Sequence, residues 1–239
     1  MKYKGEFELA KKTAYDVGRY LMSQNEKVID SEEGRDIKLE LDRKAEKLII
    51  NSLNNDFEWA ILSEESGLSS ELTNNPYWVV DPIDGSLNYS RGCPIACVSI
   101  ALWNGNEPIL GVVYDFNRDE LFTGLVGVGA WMNGDPIQPS GVVKKEDAIL
   151  ATGFPTYLEI NDSNFEEFFE EVKKYKKIRM FGSAALSLCY VANGRVDAYR
   201  EKDIKLWDIG AGVAINKALN IKVKIIFTVD FKTHTFVGI

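Results

Sequence analysis

Phe7, Ala10, Ala14, Val17 and Leu21 recur three and four residues apart, which predicts an amphipathic helix over about residues 5–24. Ile37, Leu41, Ala45 and Leu48 repeat the pattern and predict a second helix over about 36–54. The period then shortens. Apolar runs predict strands at 59–62, 77–80, 97–103, 109–116 and 120–125. Asn-Gly pairs at 104–105 and 133–134 mark turns, so 97–137 reads as an antiparallel meander. Beyond about residue 145 the elements alternate: strand 148–154, helix 163–175, strand 177–181, helix 182–194, strand 195–200, helix 206–219 and strand 221–229. This predicts an α+β first part, 1–142, and an α/β second part, 143–239.

A chain of 239 residues can bury a sizeable core. No apolar run approaches the roughly 20 residues of a membrane span, so no membrane partner is expected. The opening MKYKGEFELAKK lacks an apolar signal region, and a cytoplasmic setting is the expectation. Cys93, Cys97 and Cys189 form no metal-type pair. A net charge of −8 argues against a nucleic-acid polymer as partner. His234 is the one histidine, which excludes histidine-dependent hydrolysis and a histidine-rich zinc site.

The chemistry concentrates in WVVDPIDGSLNY, residues 78–89, where an apolar strand runs into Asp81 and Asp84. Two crowded carboxylates repel unless a cation sits between them. Gly85 and Ser86 then open a helical pattern whose free amides suit an anion. Read separately, Asp81 is equally a strand end and Asp84 a helix cap. Glu64 in SEES follows a strand, and Asp208 in WDIGAG opens a helix; each alone also reads as ordinary surface or capping charge. Asp42 lies with Ala45 and Ile49 on the margin of an apolar helix face, where a carboxylate needs a partner. All candidate donors are oxygens, which selects Mg²⁺, or Mn²⁺, over zinc or copper. A magnesium site beside an anion site points to phosphoryl transfer to water.

These three segments, SEES at 63–66, WVVDPIDGSLNY at 78–89 and LWDIGAG at 206–212, resemble the inositol monophosphatase family of magnesium-dependent, lithium-sensitive phosphatases over roughly residues 5–219. The resemblance implies the layered α-β-α-β-α sandwich of the inositol monophosphatase and fructose-1,6-bisphosphatase type. It implies metal ligation by Glu64, Asp81, the Ile83 carbonyl, Asp84 and Asp208, with two or three Mg²⁺ ions. Ser86, where the family usually has Thr, and Asp42 would orient the attacking water beside Glu64. Phosphate would rest on Gly85 and Ser86, and substrate hydroxyls on Asp84, Gly182, Ser183, Ala184 and Glu201. The implied substrate is a small phosphorylated polyol, inositol 1-phosphate first. Arg179, Arg200 and Lys205 keep open fructose 1,6-bisphosphate or a 3′(2′),5′-bisphosphate nucleotide. A catalytically silent phospholigand-binding module is the non-enzyme alternative. A homodimer is expected.

The chain departs from the family after its last helix, where KALNIKVKIIFTV replaces the usual Glu-Ala-Gly-Gly and longer tail. Two rivals fit less well. The haloacid-dehalogenase motif needs its aspartates two apart, not three. Cys189 and Arg195 have the spacing of a cysteine phosphatase, but Leu186, Cys189 and Tyr190 fall at helical spacing, as packed residues do.

Overall fold

The computed structural model describes residues 2–24, 29–33, 36–54, 59–154 and 162–239. Helix α1, Lys4–Met22, buries Phe7, Ala10, Thr13, Ala14, Val17, Gly18 and Leu21 along one stripe. Strands β1, Ile29–Glu33, and β2, Asp36–Leu39, pair antiparallel. The second helix, α2, therefore spans Glu40–Asn54 and begins four residues later than its apolar pattern predicts. The sequence Asp36-Ile37-Lys38-Leu39 alternates polar and apolar, a strand period, and the acidic first turn of Glu40 and Asp42 marks where the helix starts. Its buried face runs through Leu41, Asp42, Ala45, Glu46, Ile49 and Leu53, while Leu48 is exposed. Thr13 and Ser52 join the two helices through their hydroxyls at 2.7 Å.

The first sheet follows. Its strands are β3 (Ile61–Ser63), β4 (Gly67–Leu68), β5 (Tyr77–Asp84), β6 (Cys97–Asn104), β7 (Glu107–Asp115), β8 (Glu120–Leu125), β9 (Gly129–Met132) and β10 (Asp135–Pro136), with the short helix α3 (Ser86–Ser90) after β5. They lie in the order β10-β9-β8-β7-β6-β5-β3-β4. Among the described strands of this sheet only β3 and β5 pair in parallel, and β6–β10 form the meander expected over 97–137. β6 is buried along both faces except at Asn104, because helices cover the sheet on each side.

The second sheet contains β11 (Ile149–Thr152), β12 (Lys177–Arg179), β13 (Ala198–Lys205), β14 (Val223–Phe227) and β15 (Lys232–Gly238), in the order β12-β11-β13-β15-β14. Its helices are α4 (Asp162–Val172), α5 (Ala184–Ala192) and α6 (Leu206–Ala218). β15 has no counterpart among the predicted elements. Its residues KTHTFVG look polar, yet Thr233 and Thr235 are buried and bond to each other at 2.8 Å. β-Branched threonines suit a strand once a partner surface exists. β13 also extends five residues beyond the predicted strand end, to Lys205, through a bulge between Glu201 and Ile204. α5 begins at Ala184 rather than 182, because Gly182 takes φ 71° and Ser183 caps the helix by accepting from Leu186 N.

The layers run α1/α2, first sheet, α5/α6, second sheet, α4, an α-β-α-β-α sandwich. One apolar cluster joins α1 and α2 to the outer face of the first sheet, through Phe7, Ile49, Trp78 and Val112. A second joins residues of both sheets to α5 and α6, through Val79, Phe122, Leu188, Tyr199 and Ile209. Among the described residues no helix is long and apolar enough to cross a membrane.

α6 lies unusually close to the sheet. A Cβ on Gly111 of β7 would come within 2.1 Å of the Ala211 carbonyl oxygen, and one on Gly124 of β8 within 2.6 Å of the Ile215 Cα. On the helix's other side, a Cβ on Gly212 would meet Leu188 at 2.4 Å. At Gly111 the contact is with backbone, which cannot yield. Gly111→Ala is therefore expected to push α6 outward and lower the unfolding free energy by about 1–3 kcal/mol, read as a lower urea midpoint at unchanged slope.

Candidate active site

Asp81 and Asp84 are three residues apart, and a regular strand would point them to opposite faces. β5 does not end at Asp81 as predicted but continues to Asp84 through a bulge: Asp81 pairs with Ser99 and Asp84 with Cys97. Three steps on β5 oppose two on β6, so the extra residue restores the parity and turns both carboxylates to one side. Pro82, with no N–H to give a ladder, sits where the ladder is interrupted. The Asp81 Oδ1 accepts from Ile83 N at 3.0 Å and braces the bulge. Gly85 follows with φ 90°, and a Cβ there would lie 2.7 Å from the Ile95 carbonyl oxygen. No other residue fits that turn.

The structure places the remaining candidates around the same space. A cavity of about 270 Å³ is walled by Glu64, Asp81, Ile83, Asp84 and Asp208. Gly85, Ser86, Gly182, Ser183, Ala184 and Glu201 complete its predicted wall. Asp42 stands one bond behind it: Ser86 Oγ donates to the Ile83 carbonyl at 2.8 Å and lies 3.2 Å from Asp42 Oδ1. Asp84 is held from the second half of the chain. It accepts from Ser183 Oγ at 2.5 Å and from the amides of Ala185 at 2.7 Å and Ala184 at 3.3 Å. Asp208, in the first turn of α6, accepts from Lys205 N at 3.1 Å.

Burial pushes the Asp81 carboxyl well above its usual range, and the neighbouring Glu64, Asp84 and Asp208 push it further. Asp208 is raised for the same reasons, burial first and then Glu64 and Asp84. Asp84 rises to about 6 through burial, against the lowering effect of Ser183 and the α5 amides. Glu201 rises to about 7, again through burial, with Tyr199 opposing. The acids repel one another, and among the described residues no three of them, with histidine or cysteine counted too, are drawn into a ready-made ion-holding group. As a donor set, however, they fit a hard divalent cation: four carboxylates and one carbonyl, all oxygen, with no softer ligand among them.

Several contributors escaped the sequence reading. Glu46, one helical turn beyond Asp42, is buried and accepts from the Ser66 amide and hydroxyl, each at 3.0 Å. It thereby clamps the loop that carries Glu64. The only signal was its place four residues after Asp42. Thr152, Gly153 and Phe154, at the end of β11, also line the cavity, as do Leu87, Ser187 and Ile204. The cations entertained for a second phosphate point elsewhere. Arg200 pairs with Glu167 and Glu171 of α4, Lys205 Nζ donates to the Asp230 carbonyl, and Arg179 donates to the Ile178 carbonyl. Cys189 is buried within α5, its thiol pushed up by burial, and Arg195 forks onto Glu120 at 2.6 and 2.7 Å. No cysteine-phosphatase cradle exists there.

Known proteins share both the sequence and the fold. The chain is 39% identical over 188 residues to the inositol-1-monophosphatase of Synechocystis sp., which covers 77% of this chain and 66% of that protein. It is 40% identical over 178 residues to the Nus factor SuhB of Xylella fastidiosa, covering 74% of this chain and 64% of that one. The chain thus spans about two thirds of these curated relatives. The solved inositol monophosphatase from Anabaena (Nostoc) sp. superposes with a TM-score of 0.87 at 31% identity, over 100% of this chain and 92% of that chain. The model of the inositol monophosphatase family matches residues 3–224, a span that holds the bulged strand, the carboxylate wall and the hydroxyl beside it, and the chain belongs to that family.

Proposed function

We propose that the protein is a magnesium-dependent phosphomonoesterase acting on a small phosphorylated polyol, with inositol 1-phosphate as the best-fitting substrate. One observation carries this reading: Glu64, Asp81, Asp84 and Asp208, from separate parts of the chain, wall one cavity together with Ser86. Glu64, Asp81, Asp84, Asp208 and the Ile83 carbonyl would hold Mg²⁺, with Mn²⁺ as a substitute. When bound, the metal supplies Lewis-acid polarisation of the phosphoryl oxygen, a lowered pKa for the attacking water and stabilisation of the leaving oxygen.

The protein's own groups do the positioning. The Ser86 hydroxyl has one proton and two acceptors within reach, the Ile83 carbonyl and Asp42. With the carbonyl engaged elsewhere, the proton turns to the buried Asp42 carboxylate. The Ser86 oxygen is then free to accept from a water and aim it. Gly85 brings backbone close to the cavity without a side chain to block a phosphate. Glu201 and Asp84 offer acceptors for substrate hydroxyls. No lysine or arginine lines the cavity among the described residues, so a second phosphate finds no cationic partner among them. That favours a monophosphate over fructose 1,6-bisphosphate or a bisphosphonucleotide. The homodimer and cytoplasmic setting belong to this reading too. Phe165 and Phe169, one turn apart on α4 and each more than half exposed, suit an assembly face.

The reading is tested by phosphate release from inositol 1-phosphate. Turnover should require Mg²⁺, stop with EDTA and return when Mg²⁺ is restored. Asp84→Asn and Asp208→Asn should each lose on the order of 100- to 1,000-fold in kcat while circular dichroism stays native. Near wild-type turnover in both variants would refute the ligand assignment.

The raised carboxyls also make a stability prediction for the metal-free protein. Folded Asp81, Asp84 and Asp208 keep protons that the unfolded chain releases near pH 4. Their contribution is full below that pH and is lost as pH rises through the folded pKa of each group, about 6 for Asp84 and well above the usual carboxylate range for Asp81 and Asp208. In chelator, each such group should remove about 1.4 kcal/mol of stability per pH unit across its own window. Urea unfolding between pH 5 and 7 should show this decline. Asp208→Asn should flatten it and Mg²⁺ should reverse it; a pH-independent metal-free stability would contradict the crowded wall.

A further inference from the structure

Resting on the phosphatase reading, we propose that Tyr199 is a positioning residue: it fixes the Glu201 carboxylate as acceptor for a substrate hydroxyl, and so sets the preference for polyol phosphates over phosphomonoesters without a neighbouring hydroxyl.

Tyr199 and Glu201 are two residues apart on β13, so their side chains leave the same face of the strand. Tyr199 is fully buried, and its phenol donates to Glu201 Oε2 at 2.9 Å. Arg200, between them, points to the opposite face and pairs with α4. On the neighbouring strand, Gly153 follows Thr152, which pairs with Arg200. A Cβ on Gly153 would lie 2.3 Å from one Glu201 carboxylate oxygen and 2.5 Å from the other, and its amide bonds to Glu201 as well. The carboxylate therefore lies flat on a glycine, tied from one side by a phenol and from the other by an amide. A carboxylate offers about four lone-pair sites. Two are used, and the group lines the cavity with the rest. An acceptor fixed in advance loses little freedom when a hydroxyl arrives, which is how preorganisation raises affinity. A tyrosine serving only as core filler would need no oxygen at that point.

The test is Tyr199→Phe, assayed with Mg²⁺ on inositol 1-phosphate and on p-nitrophenyl phosphate, which has no hydroxyl to read. The KM for inositol 1-phosphate should rise about tenfold with kcat changed by less than about twofold. For p-nitrophenyl phosphate, kcat/KM should stay within about twofold. Gly153→Ala should shift the ratio of the two substrates in the same direction, because the added methyl would push the Glu201 carboxylate off its seat while the backbone around it stays in place. It also carries the comparison if Tyr199→Phe does not fold. Equal losses on both substrates, or no change on either, would overturn the role of Tyr199. Wild-type protein that turns over neither substrate with Mg²⁺ would instead overturn the phosphatase reading itself.

Discussion

Repulsion among buried carboxylates is the constraint on which this structure turns. Asp81, Asp84, Asp208 and Glu64 each raise another's affinity for a proton, so the wall they form is unfavourable by itself. Every neighbouring contact has the character of a restraint. Asp84 is tied to the start of α5 by one hydroxyl and two amides. Asp81 is braced by the amide of its own bulge, and Asp208 by the amide of Lys205. The loop bearing Glu64 hangs from Glu46 on α2. Burying such a group is costly unless hydrogen bonds or a cation compensate it, and the bonds present supply only part.

These restraints come from both sheets, so the site is held by the packing between them. α5 and α6 are shared helices: they lie on the first sheet and under the second. The absence of side chains at Gly111, Gly124 and Gly212 lets α6 settle onto the first sheet and against α5. Asp208 rides on that helix, so its distance from β5 depends on glycines far from the cavity. Trp103 Nε1 adds a bond to the Gly210 carbonyl across the same interface. β13 completes the arrangement by carrying Glu201 on its cavity side and Arg200 on its α4 side, an alternation that only a strand provides.

Much of the site was legible before any fold was known, because DPID, SEES and WDIGAG carry their acids at fixed local spacings. What the spacing concealed was its reason. Asp81 and Asp84 meet only because a bulge changes strand parity, and a bulge is defined by its partner strand, not by its own residues. Glu46 and Tyr199 were missed for a related cause. Each acts through a residue on another loop or at the next same-face position, and a buried Glu or Tyr looks like any helix or strand residue in isolation. Arg200 erred the other way: basic and near the site in sequence, it faces α4 because its neighbours on β13 face the cavity.

The sequence by itself determined the helices and strands with strong periodicity, the oxygen character of the donor set and the family, since these rest on local composition and spacing. The tertiary structure alone decided that β2 precedes α2 as a strand and that the threonine-rich β15 enters between β13 and β14. It also decided which charged side chains reach the cavity. The physical reason is the same in each case. Strand pairing, strand face and burial are properties of contacts between distant segments, and no local pattern encodes the partner.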